Sequence, residues 1–200
     1  MKLQDFKYDL PQELIAQYPL KSRDQARLMI VDRKHGTIHH DIFSNIEKYL
    51  PPSSTLVLND SKVISARLFG RREKTGGKVE IFLLNKLSDG YSFQTLIRPL
   101  KKLKIDEKII FNNNGVYAQL KDAKNKIVRF NKKNILRDLN NIGHIPLPPY
   151  IKRIDEPLDK EYYQTVYAKD AGSVASPTAG LHFTKTLLEE LEKPDIQSKN

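Results

Sequence analysis

The chain has 200 residues, 39% hydrophobic and 29% charged, with a net charge of +10 and a pI near 9.6. That mix excludes a disordered polymer. The absence of any apolar run near about 18 residues excludes a membrane-spanning helix. The absence of cysteine excludes disulfides, thiolate metal sites and cysteine nucleophiles.

The opening "MKLQDFKYDLPQEL" is charged from its second residue and lacks the apolar stretch of a signal peptide, so a cytoplasmic location is expected. "LPQELIAQYPL" predicts a helix starting at Pro11, with Leu14, Ile15 and Tyr18 at helical spacing and Pro19 as breaker. "ARLMIVDRKHGTIHHDIF" predicts a β-hairpin turning at Lys34-His35-Gly36. "FSNIEKYLPPSS" predicts a short helix with Ser44 as N-cap, Glu47 at the third position, and a stop at Pro51-Pro52. "TLVLND" predicts a buried strand that delivers Asn59 and Asp60 to a sheet edge.

From Lys62 to Arg129 the texture changes to short β-type runs divided by Gly, Asn, Asp and Pro, which predicts an antiparallel barrel or sandwich. "KKNILRDLNNIG" predicts a helix ended by Gly143 as C-cap. "HIPLPPYIKR" predicts a stiff extended segment, and "DKEYYQTVYAKDAGSVAS" a helix that then loosens. The last helix, "TKTLLEELEK", has Thr184 or Thr186 as cap and Leu187, Leu188 and Leu191 on one face; the tail "PDIQSKN" offers nothing more. The expected fold class is α+β, an α/β domain interrupted by an inserted antiparallel β-barrel. Residues 1–61 and 150–200 would form the α/β part and residues 62–149 the barrel.

Lysine and arginine favour polyanionic partners, because each neutralised phosphate releases counterions. Between Lys101 and Asp138 there are eleven basic against four acidic residues. The alternative is lysine used as a generic solubiliser. In "SPTAGLHFT", Thr178, Ala179 and Gly180 leave backbone N–H groups near a helix start, where polar ligand groups can be held, and His182 adds an imidazole, the side chain most used for acid/base work. The alternative is a turn at Gly180 with His182 filling a gap. Asn59 and Asp60 followed by Arg67 fit a polar binding set, or a plain turn. Gly76-Gly77 reads as a hairpin turn, with close backbone approach to a ligand as the second use. Glu80 sits within an apolar run and needs a partner. Tyr150 could stack on a base while Lys152 and Arg153 meet phosphates, unless the segment is only a rigid linker. The five histidines show no metal-ligand spacing, so no metal site is expected.

Taken together, "DFKYDLPQELIAQYPL", "SRDQARLMIVDR", "LVLNDSKVISARLFG", "GGKVEIFLL", "GHIPLPPYIKR", "YYQTVYAK" and "SVASPTAGLHFT" closely resemble the S-adenosylmethionine:tRNA ribosyltransferase-isomerases of bacterial queuosine biosynthesis. The resemblance implies transfer and isomerisation of the ribosyl portion of S-adenosylmethionine onto 7-aminomethyl-7-deazaguanine in tRNA. Epoxyqueuosine-tRNA would form, with adenine and methionine released. S-adenosylmethionine is then a substrate, no cofactor is implied, and tRNA is the macromolecular partner. It implies an α/β domain carrying an inserted β-barrel. It makes His182 and Asp60 catalytic candidates. Asn59, Arg67, Gly76, Gly77, Glu80, Thr178, Ala179 and Gly180 become substrate-binding candidates, and Tyr150, Lys152 and Arg153 tRNA-binding ones.

Family members continue past this point with a second block of the "HVGLGTF" kind. The chain is therefore expected to be C-terminally shortened, leaving a sheet edge and the Leu187/Leu188/Leu191 face uncovered. It would act as a monomer, or with a separate chain bearing the remainder. The other two readings are a catalytically inactive remnant and a non-catalytic basic RNA-binding barrel.

Overall fold

The computed structural model describes residues 2–111, 115–192 and 197–199, the last three by backbone alone. The molecule is α+β, with a closed antiparallel barrel between two outer segments of the chain.

Hydrophobic alternation builds the outer part first. Strands β1 (Arg27–Asp32) and β2 (Thr37–Ile42) pair antiparallel from Arg27↔Ile42 to Asp32↔Thr37. Their turn is fixed by Asp32, whose carboxylate accepts the Lys34 and His35 N–H groups at 2.9 and 3.1 Å, and by Gly36 at φ +67°. Two short strands follow, β3 (Thr55–Val57) and β4 (Ser61–Val63).

The barrel uses β5 (Arg67–Arg72), β6 (Lys78–Lys86), β7 (Ser92–Arg98), β8 (Lys108–Phe111), β9 (Val116–Asp122) and β10 (Ile127–Phe130). They run in the order β5-β6-β7-β10-β9-β8, and Arg71↔Ile110 and Arg72↔Ile109 close the ring between β5 and β8. Closure removes free sheet edges and sends alternate side chains inward. Leu68, Val79, Ile81, Leu83, Ile109, Phe111, Leu120, Val128 and Phe130 fill the interior. Gly70 also points inward, where a Cβ would lie 2.7 Å from Ile109 Cγ2 and 2.8 Å from Phe111 Cε1. Helix α1 (Leu136–Ile142) plugs one end with Leu139 and Ile142. It ends at Gly143, where a Cβ would strike Ser65 O, and β11 (Gly143–His144) then adds to β5.

The chain returns through α2 (Asp159–Tyr162) to β12 (Asp170–Ser173), which lies parallel to β4. Helix α3 (Lys185–Glu192) follows, with Thr184 Oγ1 accepting the Leu187 N–H at 3.1 Å as its cap. Strand β13 (Gln197–Lys199) pairs parallel with β3. A second core gathers Phe43, Phe183, Leu187 and Leu191 with Leu28, Leu56, Leu58 and Tyr167.

Several expectations change here. Over 11–18 only a 3₁₀ turn forms (Gln12–Leu14), and Leu14 and Tyr18 stay exposed. Two prolines frame too short a segment, and such helices are marginal without packing. Residues Phe43–Tyr49 also form a 3₁₀ helix, and Ser44 does not cap it: the cap position falls on Ile42. The tyrosine-rich helix is reduced to four residues. The leucine face of α3 is not bare, because Leu187 and Leu191 bury against Phe43 and Phe183. The tail expected to add nothing supplies β13, which covers β3.

Candidate functional site

Two concavities adjoin where the barrel meets the outer segments, and a third lies on the barrel itself. The first, of about 200 Å³, is lined by Gln17 and Tyr18, Leu147, Pro148, Tyr150, Ile151 and Arg153, Tyr162 and Tyr163, and by Thr178 and Leu181. It brings together Tyr150, Arg153 and Thr178 from separate stretches of sequence. The second, of about 450 Å³, shares Leu147, Pro148, Ile151 and Arg153 with the first and adds Arg67, Phe69, Lys152 and Asp155. The third, of about 1230 Å³, runs along the outside of the barrel and shares Phe69 with the second; Glu80 faces it.

Buried polar anchors fix this junction. Arg153 grips Asp159 in a two-point ion pair, Nη1–Oδ2 and Nη2–Oδ1 both 2.7 Å, and Nε donates to Gln17 O at 2.8 Å. Its side chain is 14% exposed and that of Asp159 6%. The paired guanidinium holds the Asp159 carboxyl below its ordinary range, and the carboxylate raises Arg153 in turn. The guanidinium also lies 4.4 Å from the Tyr18 ring centre. Arg153 is thus turned inward as a structural clamp, while Lys152 and Tyr150 remain exposed.

Arg23 ties the first segment to α2 and the residues just behind it, and to the loop after β12. Nη1 donates to Gln164 O at 2.5 Å and Leu181 O at 3.3 Å, and Nη2 to Glu161 O at 2.7 Å. Burial among carbonyls lowers its pKa. Gln164 copies a strand partner: its amide donates to Val63 O at 2.7 Å and accepts the Val63 N–H at 2.9 Å. Burial raises the Tyr163 and Tyr167 hydroxyls above their usual range.

The other sequence candidates fall as follows. Thr178–Gly180 forms a 3₁₀ turn, with Thr178 and Ala179 exposed and Gly180 buried where a Cβ would strike Tyr167 Oη. His182 stacks at 5.3 Å against Phe43, and lines none of the three concavities. Asn59 Oδ1 accepts the Ser61 N–H at 3.0 Å and the Ser61 hydroxyl, which is turn geometry. The Asp60 carbonyl accepts the Lys169 N–H at 2.7 Å beside the β4–β12 pair. Arg67 Nε lies 2.7 Å from Glu80 Oε1, so the glutamate has its partner. Gly76 and Gly77 make the β5–β6 turn, with Gly76 at φ +67° and open space around it.

Arg23, Gln17, Asp159 and Gln164 were not singled out from the sequence. The contacts of Arg23, Gln17 and Gln164 join residues more than 100 positions apart, so no local pattern announces them, whereas Asp159 meets Arg153 only six residues away. His144 Nδ1 pairs with Asp155 Oδ1 at 2.7 Å, and among the described residues no cluster of His, Asp or Glu is placed to hold a metal ion. Among those residues no helix is long and apolar enough to cross a membrane.

Comparison with known proteins gives this geometry a setting. The relative from Sulfurihydrogenibium sp. (strain YO3AOP1), named S-adenosylmethionine:tRNA ribosyltransferase-isomerase, is 52% identical over 98% of this chain and 58% of its own length. A relative of the same name from Caldanaerobacter subterraneus subsp. tengcongensis is 48% identical, over 99% of this chain and 58% of its own. The chain therefore spans 58% of the length of these curated relatives. The solved S-adenosylmethionine tRNA ribosyltransferase of Thermotoga maritima is 32% identical over 97% of this chain and 56% of its own, with a TM-score of 0.38. The family model described as queuosine biosynthesis protein matches residues 3–200, and the chain belongs to that family.

Proposed function

We propose that the chain serves the reaction its relatives are named for, transfer and isomerisation of the ribosyl group of S-adenosylmethionine onto tRNA. The observation that supports this best is the junction itself. Within a family match covering residues 3–200, the "PPYIKR" and "TAGLH" stretches converge there around Tyr150, Arg153 and Thr178. In this reading S-adenosylmethionine and a tRNA carrying 7-aminomethyl-7-deazaguanine are the substrates. The sulfonium acidifies the adjacent ribose carbon, a base removes its proton, and adenine departs. The aminomethyl nitrogen then attacks the ribose, and an epoxide closes as methionine leaves.

His182 is the acid/base candidate, with Asp60 the second. Thr178, Ala179 and Gly180 shape the loop; Asn59, Arg67 and Glu80 offer polar contacts. Arg153 serves through the clamp on Asp159, which holds the "PPYIKR" segment against Gln17, while Tyr150 and Lys152 face the nucleic acid. Adenine release from S-adenosylmethionine in the presence of precursor tRNA is the test. The chain is expected to release adenine, and His182→Ala to slow release about 10²–10⁴-fold. Near-normal release by the variant would remove His182 from acid/base work. Binding of tRNA with no adenine release by the unaltered chain would contradict the reading as a whole.

A further inference from the structure

The outer barrel face carries an ordered grid. Cross-strand pairing sets Tyr117, Ile110, Arg71 and Lys78 in one row across β9, β8, β5 and β6. A neighbouring row runs Phe69, Glu80, Arg98 across β5, β6 and β7. Residues opposite each other on one face stand about 5 Å apart, so each row is a continuous strip. Both rows line the concavity of about 1230 Å³. Phe69 is 46% exposed and Ile110 45%.

Charge on this face is one-sided. Glu80 is held by Arg67 at 2.7 Å. Among the described residues, no carboxylate lies within ion-pair distance of Arg71, Lys78 or Arg98. In the lysine-rich stretch after Lys101, Lys108, Lys121, Arg129 and Lys132 each have an acidic partner, while among the described residues Lys124, Lys133 and Arg137 are in none of the ion pairs and so match the groove cations in charge state. Phe69 lines both the groove and the Arg67/Lys152 concavity, so the two lie side by side.

We infer that this barrel face binds a single-stranded segment of nucleic acid leading into the junction. Cations without a carboxylate partner, spaced along a groove, meet phosphates, and the exposed Phe69 ring with the half-buried Tyr117 ring gives bases a stacking surface beside Arg67 and Lys108. A duplex would use the cations and leave Phe69 and Tyr117 without work, which favours an unpaired strand. The identification of that strand as RNA rests on the tRNA substrate proposed above; the groove does not depend on the ribosyl chemistry.

The test uses the whole chain and a short fluorescein-labelled single-stranded RNA of mixed sequence, followed by fluorescence anisotropy. The Arg71→Ala/Lys78→Ala/Arg98→Ala variant is expected to weaken binding at least tenfold and flatten the slope of log affinity against log salt by about 2. Phe69→Ala is expected to weaken it about tenfold through lost stacking. A control that removes the same charge elsewhere, Lys124→Ala/Lys133→Ala/Arg137→Ala, is expected to stay within about twofold. Equal losses in control and groove variants would overturn the inference, as would equal competition by poly-L-glutamate. Ultraviolet cross-linking of the unaltered chain gives a readout independent of variant folding: cross-links belong at Phe69 or Tyr117, and cross-links only outside β5, β6, β8 and β9 would overturn it. RNA binding through the groove without adenine release would leave this inference standing and remove the catalytic one. Adenine release unaffected by the groove variants would do the reverse.

Discussion

Arg153 is held at one point by three different kinds of acceptor: the Asp159 carboxylate, the Gln17 carbonyl and the Tyr18 ring. Breaking such a buried pair leaves an uncompensated charge, so Arg153→Ala is expected to cost about 3–5 kcal/mol. Lysine cannot replace its two-pronged grip. The Asp159 carboxyl titrates lower folded than unfolded. Its contribution is therefore complete above about pH 3.9 and is lost as pH falls through the folded-state value. Thermal melts between neutral and acidic pH check this: Asp159→Asn should lower the neutral-pH melting temperature and flatten the acid dependence. The sequence marks Arg153 as a cation but not its use, because Gln17 is 136 residues away. Gly180 was readable as special, and the fold supplies the reason in Tyr167 Oη. Gly180→Ala is expected to destabilise by about 1–3 kcal/mol, measured by denaturant unfolding.

Strands were the most legible elements. Burial alternates along β6 and β7, but the sequence polarity does not follow it: Thr95 is buried, Leu96 is exposed, and Ile81 to Leu84 are all apolar. These strands were legible instead as short β-type runs divided by turn residues, a local signal that needs no long-range partner. Helices were overread wherever helical spacing lacked a surface to pack on, as at Leu14 and Tyr18. Strand β13 escaped notice because "QSK" carries no apolar signal; its pairing comes from β3. The last helix was legible in its extent and its leucine face, while the choice of Thr184 over Thr186 as cap and the covering of that face came from the fold. Leu191→Ala should therefore destabilise by about 2–5 kcal/mol, and Thr184→Ala by about 1 kcal/mol, both read from chemical denaturation.

At the scale of the molecule the described residues gather into two apolar cores, one inside the barrel and one under α3. The β-rich middle and mixed flanks could be read from texture, whereas the junction could not, since it is assembled from four separated stretches. Separate cores imply separable stability. In Leu191→Ala, hydrogen exchange is expected to speed in β1, β2 and α3 while barrel amides such as Ile81 and Leu120 stay protected; uniform loss of protection would contradict two cores. The proposed ribosyl transfer onto tRNA is open to a direct check by mass spectrometry of the nucleosides of digested tRNA. After incubation of the chain with S-adenosylmethionine and precursor tRNA, 7-aminomethyl-7-deazaguanosine should be converted to epoxyqueuosine. An unchanged nucleoside in tRNA that is demonstrably bound would contradict the proposal.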